Sequence, residues 1–261
     1  MQNRTKTYFL SDFHLGASYI SDKHGQERRI IRFLDSIKED AKEIYLLGDI
    51  LDYWFEYRYV VPRGFVRFFG KIAELTDAGI KVHWFIGNHD IWIFDYLPNE
   101  LGVDITDGSL IKVIDGKKFY LAHGDGVGNH PKSFKMLRAL FRNKFCQKIY
   151  SGIHPRWTIP FALNWSHSSR KSDTSTGYGD NEILETFAKN YPSEEKIDYF
   201  VFGHRHVAID KKVSEISRMI ILGDWISEFT YAVFDGHDIS LKIFSEKDFF
   251  DKSSSPALAP R

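Results

Sequence analysis

One cysteine, Cys146, occurs in 261 residues, which excludes an intrachain disulfide and makes a reducing compartment the expected one. No catalytic-thiol signature surrounds it. No stretch approaches the ~20 uninterrupted apolar residues that a membrane-spanning helix needs. The amino terminus, MQNRTKTYFLSD, passes into a strand pattern without the apolar core of a secretory signal. Net charge is missing too: 35 Lys and Arg balance 35 Asp and Glu, so the global charge points to neither nucleic acid nor membrane. The balance conceals a local deficit. Between Gly126 and Ser172 no acidic residue occurs, while nine cations do: Lys132, Lys135, Arg138, Arg142, Lys144, Lys148, Arg156, Arg170 and Lys171. Removing nine from 35 leaves 26 basic against 35 acidic residues elsewhere, so a cationic segment is set on an anionic body. Without an extended basic groove beyond that segment, nucleic acid is not an expected partner.

A hydrophobic content of 43% is ample for a soluble core. The pattern predicts a strand over 6–10, an amphipathic helix over 23–38, a strand over 44–47, a helix over 65–75 and a strand over 80–86. A short helical piece follows near Trp92 to Leu97. A hairpin over 110–122 turns at Asp115-Gly116. Beyond it come a helix over 182–191 and strands near 199–202, 219–222, 231–234 and 239–244. Strand-helix alternation in front and hairpins behind predict an α/β fold of two packed mixed β-sheets flanked by helices. The expected unit is a single domain over 1–250, with 130–175 as a helical, lid-like insert and 251–261 as a disordered tail.

Five apolar runs end in polar residues suited to a metal: YFL in Ser11-Asp12-Phe13-His14, IYLL in Gly48-Asp49, VHWFI in Gly87-Asn88-His89-Asp90, FYLA in His123-Gly124-Asp125, and DYFVF in Gly203-His204-Arg205-His206. A buried run ending this way delivers its ligand at the carboxyl end of a strand, the edge where open α/β sheets place their sites. Singly, each fragment is ordinary turn chemistry. Together they supply the mixture of carboxylate, amide and imidazole that water-activating divalent ions use.

The series D-x-H, G-D-x-x-D, G-N-H-D, H-G and G-H-x-H, from Asp12 to His206, resembles the calcineurin-like metallophosphoesterase superfamily. The resemblance implies a four-layer sandwich. It implies one divalent ion on Asp12, His14, Asp49 and His206, and a second on Asp49, Asn88, His123 and His204. Manganese is the expected metal, with iron or zinc as alternatives. His89 would stabilise developing charge or protonate the leaving oxygen, its imidazole held by Asp90 or Asp52.

In the acid-free segment, Phe134, Leu137, Phe141, Phe145, Ile149 and Ile153 recur at steps of three and four and predict one apolar helical stripe. Trp157, Ile159, Phe161, Leu163 and Trp165 follow. These residues either pack the insert onto the body or form a lid that accepts acyl chains and lies on an anionic bilayer. Together with S-D-F-H-L-G, G-D-x-x-D-Y-W, H-G-D and I-L-G-D-W, the insert is similar to the UDP-2,3-diacylglucosamine hydrolases of lipid A synthesis. That resemblance implies a UDP-linked acylated sugar as substrate, cleaved to UMP and a sugar 1-phosphate, and a cytoplasmic enzyme peripherally associated with the inner membrane. Asn88, His89, Asp125, Arg170, Lys171 and His204 are the expected substrate contacts. One departure stands out: the better-known members of that family carry Arg where this chain has His89. It leaves open another phosphodiester, nucleotide or phospholipid substrate; an inactive scaffold is a further alternative.

Overall fold

A computed structural model describes residues 4–173, 182–192, 194 and 196–246, with the side chains of 165–173 outside that description. The tail 251–261 lies outside the described residues. The chain opens as β1 (Lys6–Leu10), α1 (Lys23–Ile37), β2 (Ala41–Leu46), α2 (Val66–Asp77) and β3 (Lys81–Phe85), followed by α3 (Tyr96–Leu101) and β4 (Asp104–Thr106). The hairpin β5 (Ser109–Ile114) and β6 (Lys117–Ala122) precedes α4 (Lys132–Arg142), α5 (Lys144–Ser151), α6 (Pro155–Asp173) and α7 (Ile183–Lys189). The chain continues through β7 (Tyr199–Phe202), β8 (Ala208–Lys212), β9 (Arg218–Leu222), β10 (Thr230–Phe234) and β11 (Ile239–Ile243).

One sheet has the order β11-β10-β1-β2-β3-β4 and the other β5-β6-β7-β9-β8. β1, β2 and β3 run parallel, as do β6, β7 and β9, while hairpins and edge strands bring antiparallel pairs into both. Apolar side chains on both faces of the central strands explain why these read as continuous hydrophobic runs. Phe9, Tyr45, Phe85, Phe119, Val201 and Phe234 face into the space between the sheets. Phe9 stacks on Tyr45 at 5.2 Å and on Phe119 at 5.5 Å between ring centres. Such a buried ring contributes about 1.5–3 kcal/mol by leaving water. Tyr8, Leu10, Ile44 and Leu46 point the other way, against α1 and α2, and Tyr120, Phe200 and Phe202 pack under α7. Helix, sheet, sheet and helix thus form four layers.

The structure departs from the sequence pattern in three places. The helix expected over 92–97 starts at Tyr96, because the Glu56 carboxylate accepts hydrogen bonds from the amides of Phe94, Asp95 and Tyr96 at 2.6–3.1 Å and caps the helix there. β4 and β8 carried no apolar alternation, since both are edge strands with exposed polar residues. The expected single stripe is divided at Asn143, whose side chain caps α5. Phe134, Leu137 and Phe141 on α4 turn inward, whereas Phe145 and Ile149 on α5 are exposed.

Candidate metal centre

The strand ends of both sheets meet at one edge, and the chain bends sharply there. Asp12, His14, Asp49, His204 and His206 all have positive φ, between 46° and 69°. Left-handed backbone at a non-glycine residue costs about 1–3 kcal/mol and is retained where the surroundings over-determine it, characteristically at functional sites. Close approach makes a further demand. A Cβ at Gly87 would lie 2.1 Å from Asp49 Oδ1, and one at Gly48 2.7 Å from the His123 ring.

Three overlapping groups result: Asp12 with His14 and His206, His14 with Asp49 and His89, and Asp49 with His123 and His204, each with ligand atoms within 4.8 Å of one another. Asp49 is the centre. Its Oδ2 lies 3.5 Å from His14 Nε2 and 3.3 Å from His123 Nε2. His206 Nε2 is 3.4 Å from Asp12 Oδ1, and Asn88 Oδ1 is 3.2 Å from His123 Nε2. All seven residues expected as ligands are therefore brought together.

Hydrogen bonds decide which nitrogen each ring presents. His123 Nδ1 donates to the Leu47 carbonyl at 2.8 Å, leaving Nε2 for the cluster. Asp52 accepts from His14 Nδ1 at 3.3 Å, and its main-chain carbonyl accepts from His89 Nδ1 at 3.2 Å. Asp224 accepts from His206 Nδ1 at 3.3 Å. These partners fix tautomers as the outer groups of metal sites do. Within the cluster, the buried Asp12 Oδ1 and His14 Nε2 have no hydrogen-bond partner, and they face each other at 3.7 Å. Such an orphaned oxygen and nitrogen, at the focus of carboxylates and imidazoles, fit a divalent cation.

Without a cation the cluster distributes protons unevenly. Burial acts against a charged His123, yet the charge of Asp49 outweighs it and pushes the ring up to about 10. His204 is pushed down to about 4 by burial and by the charge on His123. Burial also lowers His14, while His89 is raised because Asp49 and Asp52 overcome its burial.

Some expected site residues take other positions. Asp90 turns away from His89: its carboxylate accepts from the amides of Gly87 at 2.8 Å and Ile50 at 3.0 Å and from Trp84 Nε1 at 3.3 Å, tying the Asn88 loop to the Asp49 loop. This buried carboxyl is raised to about 6 by burial and by Asp49. Asp125 is engaged by Arg138 Nε at 3.0 Å. Arg170 and Lys171 lie on α6, but their side chains are outside the described residues. Asp224 was not anticipated as a partner of the cluster. The only signal was its position at the end of a strand, in Gly223-Asp224, the same form as Gly48-Asp49.

Beside His89 and Asn88 opens a cavity of about 490 Å³, walled by Trp92, Phe134, Leu137, Phe141, Tyr150 and Phe161. The insert forms most of it and is tied to the body. Arg142 pairs with Asp107 at 2.8 Å, Trp92 Nε1 donates to the Phe141 carbonyl at 2.9 Å, and Tyr57 bonds Thr158 at 2.6 Å.

Two mixed sheets that converge on an Asp/His/Asn cluster define a metal-dependent phosphoesterase. A family model described as calcineurin-like phosphoesterase matches residues 5–208. A protein of Porphyromonas gingivalis named UDP-2,3-diacylglucosamine hydrolase is 42% identical over 94% of this chain and 100% of its own length. One of the same name from Neisseria meningitidis is 24% identical over 85% of this chain and 90% of its own. Among solved structures, the phosphoesterase Yfce from E. coli aligns with 93% of this chain and 94% of its own, at 15% identity and a TM-score of 0.46. The chain belongs to the calcineurin-like phosphoesterase family and, within it, to the UDP-2,3-diacylglucosamine hydrolases; it is a hydrolase.

Proposed function

We propose that the chain hydrolyses the pyrophosphate of UDP-2,3-diacylglucosamine to UMP and 2,3-diacylglucosamine 1-phosphate; its Porphyromonas gingivalis relative is named a hydrolase of that substrate. The observation that carries this reading is the apolar cavity, which opens beside Asn88 and His89 and suits acyl chains. A soluble phosphoester would leave those aromatic walls without a use.

Two divalent ions fit the donors, one on Asp12, His14, Asp49 and His206 and the other on Asp49, Asn88, His123 and His204. The donor mixture suits manganese, iron or zinc alike, and manganese is proposed on the resemblance to the UDP-2,3-diacylglucosamine hydrolases. Bound there, they supply neutralisation of phosphoryl charge and a lowered pKa for water. The protein contributes orientation. Leu47, Asp52 and Asp224 hold His123, His14 and His206 with Nε2 turned inward. In the reaction the oxygen of water bonds to one phosphorus, the P–O bond to the bridging oxygen breaks, and two phosphomonoesters leave. His89 donates its Nδ1 proton to the Asp52 carbonyl, which directs Nε2 toward the reacting phosphates. There a protonated His89 supplies charge or a proton to the departing bridge oxygen.

No helix among the described residues is long and apolar enough to cross a membrane. Membrane contact is instead proposed for the insert, where Met136, Phe145, Trp157 and Phe161 are exposed. Lys132, Lys135, Lys144, Lys148 and Arg156 are exposed beside them. This suits peripheral attachment to the cytoplasmic face of the inner membrane.

Incubation of manganese-loaded protein with UDP-2,3-diacylglucosamine in detergent micelles, beside an aryl phosphodiester, tests the reading. UMP and acylated sugar 1-phosphate, formed much faster than the aryl ester is cut, are the expected products. Cleavage of the aryl ester with the lipid untouched overturns the substrate.

A further inference from the structure

A second cleft, of about 410 Å³, lies on another flank of the metal centre and includes Gly16, Lys23, Arg63, Phe65 and Leu163 in its lining. Tyr53 lines this cleft and the apolar cavity alike, so the two spaces meet at one side chain. Their chemistry differs. The first is walled mainly by aromatic and aliphatic groups of the insert, and its two arginines, Arg138 and Arg142, are paired with Asp125 and Asp107. The second presents two cations, Lys23 and Arg63, and the exposed backbone of Gly64.

The cleft is built from the loop that carries a metal-centre residue. Gly16 follows His14 by two positions, and its carbonyl accepts from Lys23 Nζ at 2.9 Å. A Cβ at Gly16 would lie 2.9 Å from Phe65 Cζ, so glycine there lets the ring close against the His14 loop. Phe65 is itself held at φ 62° after Gly64 at φ 118°, a bulky residue in the left-handed region. Arg63 is exposed and makes no ion pair among the described residues. A strained turn thus sets an uncommitted guanidinium and an aromatic ring beside the centre.

On the substrate reading given above, the molecule has two unlike halves joined at the pyrophosphate. One is a sugar with acyl chains. The other is a nucleoside monophosphate, with a flat base bearing two carbonyl acceptors, ribose hydroxyls and a charged phosphate. Cations, backbone polar groups and an aromatic ring match the second half and have no counterpart in the first. We propose that this cleft is the pyrimidine nucleotide subsite. Tyr53 is then the divide between the two halves, Arg63 and Lys23 serve the carbonyl and ribose oxygens of the nucleoside, and Phe65 serves the face of the base. The substrate is read at both ends, acyl chains on one side of Tyr53 and uridine on the other.

The test compares the manganese-loaded wild type with Arg63→Ala and with Leu163→Trp, which fills the cleft without changing charge. UMP binding is measured by calorimetry, inorganic phosphate serves as the second probe, and KM is measured for UDP-2,3-diacylglucosamine. Each variant is expected to weaken UMP binding about tenfold, the scale of one lost charge-assisted contact. Phosphate affinity is expected to stay that of the wild type, and KM for the lipid to rise. UMP affinity equal to wild type in both variants, or weakened in parallel with that of phosphate, overturns the subsite. So does a wild type that does not bind UMP. A wild type that leaves the lipid intact, but whose UMP binding still weakens in both variants, upholds the cleft and removes only the substrate.

Discussion

Asp224 holds His206: the carboxylate accepts from His206 Nδ1 at 3.3 Å and, through its other oxygen, from the amides of Ile226, Ser227 and Glu228 at 2.8–3.1 Å. Burial disfavours its charge, but His206 and these amides outweigh burial and hold it down to about 2. Asp224→Asn keeps an acceptor for the turn but loses the charge behind the ring. It is expected to lower metal affinity about 10- to 100-fold. Calorimetric titration with Mn²⁺ checks this, and wild-type affinity would return Asp224 to a purely structural role.

Asn88→Ala and Asp49→Ala each remove a donor from the cluster. Turnover is expected to fall more than about 100-fold, beyond the loss typical of outer partners. Far-UV circular dichroism should stay native, because the sheets that carry the loops are packed independently of either side chain. Normal turnover in either variant would remove the two-ion assignment.

His89 is where this chain departs from the Arg that its resemblance to the UDP-2,3-diacylglucosamine hydrolases leads one to expect. Its proton affinity is raised by Asp49 and Asp52, so it serves as a cation below its raised pKa and loses that service as pH rises through it. His89→Arg is expected to retain pyrophosphate cleavage within about tenfold, and His89→Ala to lose about 10²–10⁴-fold. The alkaline decline of the wild type should flatten in the Arg variant. A collapse of His89→Arg on the lipid would favour a substrate that needs a proton donor.

Metal loading is expected to release protons. In the ion-free cluster His123 is pushed up to about 10, whereas a ring nitrogen that binds a cation must be deprotonated. A raised histidine pKa stabilises the ion-free fold fully below the unfolded value of about 6.5, and that contribution is lost as pH rises toward the folded value. Added Mn²⁺ should therefore raise the melting temperature more at pH 9 than at pH 6. Thermal shifts equal at both pH values would contradict the charge assigned to His123.

Phe145 and Trp157 are 71% and 69% exposed, respectively. Replacing both with Glu should abolish co-sedimentation with anionic vesicles at ~0.1 M salt, while neutral vesicles bind little of either protein. Equal sedimentation of variant and wild type would leave the insert without a membrane role.

Much of this was legible because buried strands and metal-binding turns leave strong local marks. Phe9 and Tyr45 sit in runs long enough to fix strands, and Asp49 and Asn88 follow glycines that the loops require. What escaped depended on contacts distant in sequence. Glu56 caps a helix 40 residues away, and although Asp95 is an ordinary N-cap residue its own side chain makes no cap bond. Asp90 and His89 are neighbours in sequence, yet Asp90 is claimed by amides of two loops. The stripe from Phe134 to Ile153 has a helical period throughout, but period does not register the turn at Asn143 that directs its halves to different surroundings.

The missing acids of the insert have a mechanical consequence. With no carboxylate between Gly126 and Ser172, the segment forms no internal side-chain ion pair, and Arg138 and Arg142 borrow Asp125 and Asp107 from the body. Its remaining lysines repel one another across a small area. The insert is a cationic body fastened by these two ion pairs and by the contacts of Trp92 with Phe141 and Tyr57 with Thr158. Ionic strength weakens both the ion pairs and the repulsion, whereas on the proposed membrane reading an anionic surface relieves the repulsion alone.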